Sequence, residues 1–232
     1  MKTIAKLAAV SLSLFLLQSL QAVQMPTLDQ VLKNMEEANV KYPSIQANIE
    51  RTIYQARFQD LQDPDPGKIW ILKVGNAPRQ IKIEFDKPKE FELIQNGDFK
   101  KYTPSTKEVE QSAKTFSKDE QAEIECVFLG LCQSSAVINK SYDASLAAPE
   151  TVNGTKAIVL VLKTKDKKRA ASFASIKLWL DPAKWIPVQT RVFQPNGNYM
   201  NAKFTNISTA KFSDSVFKLE IPKDASVKKF QF

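Results

Sequence analysis

The chain has 232 residues, 43% of them hydrophobic and 25% charged, with a net charge of +8 and no histidine. Without histidine there is no serine–histidine or cysteine–histidine catalysis, and the commonest metal ligand is missing. Two cysteines are too few for a four-ligand zinc site, and the basic residues are scattered rather than gathered into an aromatic-lined stripe, which excludes a nucleic-acid footprint.

The N-terminus has the three parts of a secretory signal. Lys2 and Lys6 are basic, Leu7 to Leu17 is apolar apart from Ser11 and Ser13, and Ala22 is a small residue at the expected cut. The apolar run is shorter than the ~20 residues that span a bilayer, which disfavours the alternative of an uncleaved anchor. No cysteine lies near Ala22, so the lipid attachment point of a bacterial lipoprotein is missing. The expectation is a signal peptide at 1–22 and a monomeric periplasmic protein at 23–232, about 210 residues in a single domain.

Thr27 and Gln30 make a capping box, and Leu28, Val31, Leu32, Met35 and Ala38 recur at helical spacing, so a helix is predicted from Leu28 to Val40. Pro43 stops it. The period then changes to two. Ile45, Ala47 and Ile49 alternate with polar residues, as do Ile81, Ile83 and Phe85, with the strand Lys68 to Val74 between them. Asn96-Gly97 joins Phe91–Gln95 to Phe99–Thr103 as a hairpin.

The middle breaks the strand pattern. Ser117 with Glu120 starts a helical insert. It carries the apolar run Cys126, Val127, Phe128, Leu129, Gly130, Leu131, Cys132, and a helical turn is placed at Ser135 to Lys140. Cys126 and Cys132 are read either as a disulfide, if Gly130 breaks the helix between them, or as two buried thiols. Strands resume with hairpins at Asn153-Gly154 and Pro195-Asn196-Gly197-Asn198, and the last is placed at Phe217 to Ile221.

This gives an α+β, mainly β fold: one curved antiparallel sheet of ten or eleven strands, a half-open barrel plugged or lidded by short helices. Ten strands at ~4.8 Å spacing make a sheet nearly 50 Å wide, which two short helices cover only if it curls around them. Such a curl either fills or leaves an apolar cavity for a greasy ligand. The inward candidates are Ile45, Ala47, Ile49, Trp70, Leu72, Ile81, Ile83, Phe91, Leu93, Val127, Phe128 and Leu131, with Gly130 a candidate hinge if the insert is a lid. No carboxylates pair by spacing, so no enzyme and no cofactor is expected.

Ile69-Trp70-Ile71-Leu72-Lys73, then Asn96-Gly97 with Tyr102, Pro104 and Gln111, resembles the periplasmic outer-membrane lipoprotein carriers, the LolA-like family. Leu178-Trp179-Leu180-Asp181-Pro182 with Pro187, and the ending Phe217 to Pro222, resembles its outer membrane lipoprotein-sorting branch. The resemblance implies a non-enzymatic carrier of lipoprotein acyl chains or phospholipid, with an inner-membrane releasing complex and an outer-membrane acceptor as partners. It also implies a rim residue that ties the barrel to the lid. That residue is an arginine in the carriers, and Lys73 stands at the corresponding place here. The alternative is a sensing or regulatory domain built on the same half-barrel.

Overall fold

The computed structural model describes residues 25–75, 78–132 and 134–230, so the segment read as an export signal lies outside the described residues. The first helix, α1, runs Leu28–Lys41. Its start is fixed as the sequence predicts. Thr27 Oγ1 accepts from the Gln30 amide, and Gln30 Oε1 accepts from the Thr27 amide at 2.8 Å. The predicted stripe of Val31, Leu32, Met35 and Ala38 is buried.

Everything else hangs on one 13-stranded sheet. Its first half holds β1 (Ser44–Gln55), the two-residue β2 (Asp60–Leu61), β3 (Asp65–Leu72), β4 (Gln80–Asp86), β5 (Lys89–Gln95), β6 (Asp98–Thr103) and β7 (Glu108–Ser112). Helices α2 (Lys118–Leu129) and α3 (Ser135–Ser141) follow. The second half holds β8 (Tyr142–Val152), β9 (Thr155–Thr164), a helical turn α4 (Lys167–Ala170), β10 (Ser175–Leu180), β11 (Pro187–Phe193) and β12 (Tyr199–Ser208). A 3-10 turn, Asp214–Phe217, precedes β13 (Ser226–Phe230). The spatial order is β13-β7-β6-β5-β4-β3-β1-β12-β11-β10-β9-β8, so β1 and β12 join the halves and β13 and β8 are free edges. The sheet is large, curved and unclosed: a half-barrel.

Two turns form as read. Asn96-Gly97 and Asn153-Gly154 have φ values of 55° and 80°, and 48° and 78°, the paired positive angles of a tight hairpin. The end of the chain differs from expectation. Phe217 to Ile221 is a 3-10 turn and loop rather than a strand. The last strand lies beyond Pro222 and pairs parallel with β7, the one parallel pairing among the described residues. Residues 209–225 connect β12 in the middle of the sheet to β13 at its edge by crossing the convex face. Phe217 is buried there, and Lys82 Nζ donates to the Lys218 carbonyl at 3.2 Å.

Register assigns the faces, because residues directly opposite in a ladder share one. Ile45, Ala47 and Ile49 pair with Ile71, Ile69 and Gly67, which pair with Ile81, Ile83 and Phe85. These face the helices. In the second half Ile158, Leu160 and Leu162 pair with Leu180, Leu178 and Ile176 on the same concave side. They pack against Val31, Leu32, Met35, Cys126 and Val127 in one core cluster. Each such fully buried aliphatic is worth ~1.5–3 kcal/mol. A smaller apolar group on the convex side is centred on Val159 and Trp179.

Candidate functional site

The candidate site is the concave floor and the helices seated on it. Ile45, Ala47, Ile69, Ile71 and Phe204 rise from the sheet towards Leu129, Leu131, Ile186, Pro187 and Ile207, leaving an apolar cavity of about 20 Å3 between them. That is room for about one water. The end of α2 and the turn after it therefore pack closely on this part of the floor.

What holds α2 in place is polar and wholly buried. Arg79, one residue before β4, is 2% exposed, and Glu125 on α2 is fully buried. Arg79 Nη1 donates to Glu125 Oε2 at 2.8 Å, the Arg79 amide donates to Glu125 Oε1 at 3.1 Å, and Nη2 donates to Asn39 Oδ1 on α1 at 3.0 Å. Gln121 Nε2 donates to the Arg79 carbonyl, and Asn39 Nδ2 to the Cys132 carbonyl. One guanidinium at the barrel rim thus clasps both helices. Breaking such a pair leaves a buried charge unpaired, a cost of roughly 3–5 kcal/mol. A second, weaker tie is Thr190 Oγ1 donating to the Phe128 carbonyl at 3.0 Å.

The start and end of α2 are set locally. Ser117 and Glu120 form a capping box, and the Lys114 ammonium, with the Ser117 amide and hydroxyl, holds the Glu120 carboxyl down to about 2. At the other end Gly130 takes the left-handed conformation, φ 67°. A Cβ there would lie 2.8 Å from side-chain carbons of Leu178 and Pro187, so glycine is needed twice over: for the angle and for the close seat on the sheet. Cys126 and Cys132 are joined as a disulfide, with Cα atoms 4.2 Å apart.

The concave face is not apolar throughout. Beyond Ile49 on β1 the inward position belongs to Arg51, and beyond Ile83 in the β4–β5 ladder the inward positions are Glu92 and Glu90. Arg51 Nη2 lies 3.0 Å from Asp65 and 3.6 Å from Glu90, its Nη1 is 3.1 Å from Glu92, and its guanidinium stacks 3.8 Å above the Phe85 ring. Burial pushes the Glu92 carboxyl above its usual range, against the pull of Arg51. Lys101 and Glu110 extend this charged end across β6 and β7. The half-barrel floor is apolar under the helices and charged at its other end.

Of the predicted inward residues, Ile45, Ala47, Ile49, Ile81 and Ile83 lie on the concave side, and Val127 and Leu131 are buried beneath α2 and its C-terminal turn. Trp70, Leu72, Phe91 and Leu93 lie on the convex side, because β3 and β5 run one residue out of phase with expectation. Ile69, Ile71 and Ile94 take the inward places. Phe128 points outward, 40% exposed, between two buried neighbours. Lys73, the residue the family resemblance points to, follows β3. Its amide donates to the Pro43 carbonyl at 2.8 Å, while Arg79 makes the clasp. The signal for that clasp was present in the sequence: an arginine just before an alternating strand, and Gln121 and Glu125 four apart on the apolar insert.

The chain belongs to the outer membrane lipoprotein carrier protein LolA family, whose sequence profile matches residues 55–220, more than half of its length. No curated protein matches it in sequence. Among solved structures it is similar to an uncharacterized conserved protein from Thermus thermophilus, with 16% identity and a TM-score of 0.53 over 87% of this chain and 98% of that one. It is similar also to MucB, with 14% identity and a TM-score of 0.53 over 83% of this chain. The match spans 62% of the MucB chain. At these identities the likeness is one of fold.

Proposed function

We propose that this protein is a non-enzymatic carrier: exported through its first 22 residues, it acts as a monomeric unit in the periplasm and shields the acyl chains of a lipoprotein or lipid between the concave floor and the helices. The observation that supports this most is the pairing of an apolar floor with helices held on it by one buried clasp, Arg79–Glu125–Asn39. A cavity of about 20 Å3 holds no acyl chain, so cargo exchanges with the helices: the chain enters as they swing out. Each buried methylene contributes ~0.8 kcal/mol. Eight methylenes therefore supply about 6 kcal/mol towards moving the helices off the floor, while Arg79 and Glu125 pass into water together and leave no buried charge alone. Loading by an inner-membrane complex and delivery to an outer-membrane acceptor follow from this reading.

Photo-cross-linking tests it. Ile71→benzoylphenylalanine places the reactive group on the concave face, and Trp70→benzoylphenylalanine places it on the convex face one residue away. A radiolabelled triacylated peptide is expected to label the first protein and not the second. Equal labelling, or labelling only from Trp70, rejects an acyl site under the helices. The likeness to MucB keeps a regulatory reading in view. That reading gains if neither position labels and a protein partner is captured instead.

A further inference from the structure

If helix α2 is a lid, where it bends decides how it opens. Gly130 is the position sequence reasoning offers as a hinge, and its surroundings argue against it. The disulfide joins Cys126, four residues before Gly130, to Cys132, two residues after, with Cα atoms 4.2 Å apart. The backbone closes the same loop a second time. The Gly130 amide donates to the Cys126 carbonyl at 3.0 Å and the Leu131 amide to the Glu125 carbonyl at 3.1 Å. A rotation about Gly130 cannot separate segments that a covalent bridge holds together.

The segment before α2 is of another kind. Residues 113–117 belong to no helix or strand, and the Ala113 amide ties their start to the Phe230 carbonyl at 2.8 Å. The Phe116 amide donates to the Gly97 carbonyl at 2.7 Å, and Phe116 is 7% exposed. A Cβ on Gly97 would sit 2.7 Å from the Phe116 carbonyl oxygen, so the missing side chain is what lets the two backbones touch. Thr115 Oγ1 adds a bond to Asp98 at 3.1 Å.

We infer that α2 and its C-terminal turn as far as Cys132 form one stapled body, that Gly130 lets this body seat closely on β10 and β11 rather than serving as its hinge, and that the body pivots at the Phe116–Gly97 contact. The clasp at Glu125 then lies inside the moving body, and so does the Cys132 carbonyl that Asn39 holds. Opening releases α1 and α2 together instead of unwinding the last turn of α2. This deepens the carrier reading by naming how its lid moves.

Native-state hydrogen exchange reads that motion without cargo. The amides of 118–132 are expected to open as one unit in the oxidised protein. Reducing the bridge with a phosphine cleaves the S–S bond, adds one hydrogen to each sulfur and oxidises the phosphine. This is expected to speed exchange of 129–132 at least tenfold relative to 118–125. The variant C126S/C132S is expected to behave like the reduced protein, and either form serves if the other unfolds. Independent opening of 129–132 in the oxidised protein, or identical exchange in both redox states, overturns the proposal. Failure of every form to take up a fluorescent fatty acid would count against the carrier reading alone and leave the exchange result standing.

Discussion

Arg79 and Glu125 carry opposite charges into a place where neither would remain alone. Arg79→Met is expected to lower unfolding free energy by about 3–5 kcal/mol in urea titration, since Glu125 would be left buried and unpaired. Arg79→Met/Glu125→Met together should recover most of that loss. A double variant as unstable as the single one would mean that the pair does more than cancel its own charges. Two carboxylates give opposite responses to acid. Glu120 is held at about 2, below its ordinary 4.5, so its contribution to stability is complete above about 4.5 and is lost as pH falls towards 2. Glu92 is raised by burial, so the folded state binds its proton more readily, and this residue favours folding more as pH falls through its folded-state value towards 4.5. Side-chain carboxyl titration by NMR should find Glu120 near 2 and Glu92 above 4.5; the reverse order contradicts the geometry. Arg79 escaped sequence reasoning because its local signal, an arginine before an alternating strand, names no partner. Its partners lie 40 and 46 residues away, on α1 and α2, whereas Lys73 sat where the family resemblance pointed.

At the scale of elements, boundaries with a chemical signature were legible, and strand phase was legible in β1 and β4 but not in β3 and β5. Thr27–Gln30 and Ser117–Glu120 both form complete capping boxes. Ser117→Ala is expected to cost ~1 kcal/mol and to destabilise α2 first, which hydrogen exchange at 118–122 would report. Gly130→Ala should cost roughly 1–3 kcal/mol in thermal or urea unfolding, because the left-handed angle and the contact with Leu178 and Pro187 both resist a side chain. An unchanged stability would show that the seat can shift. In β3 the run Ile69-Trp70-Ile71-Leu72 is apolar at every position, so periodicity assigns no face. In β5 the apolar residues Phe91 and Leu93 face outward, which inverts the usual rule, for two reasons. The 209–225 crossing covers part of the convex face, and inward Glu90 and Glu92 find Arg51. Phe217 anchors that crossing, and Phe217→Ala is expected to cost ~3 kcal/mol.

The whole molecule follows from a sheet too wide for its helices. The curled half-barrel and the single insert between two blocks of strands could be read from alternation, turn dipeptides and element order. The parallel β13 could not, because its pairing with β7 is set by a crossing of the convex face that no local pattern announces. What remains specific to function is whether the helices leave the apolar floor for an acyl chain. Native mass spectrometry of the protein purified from its own compartment, with the released ligand extracted and weighed, tests that most directly. The account predicts a bound acylated molecule in stoichiometric amount, lost when Phe204→Asp places a charge on the concave floor. A protein that is repeatedly empty, and that takes up no fatty-acid probe even with the Arg79–Glu125 clasp removed, would contradict it.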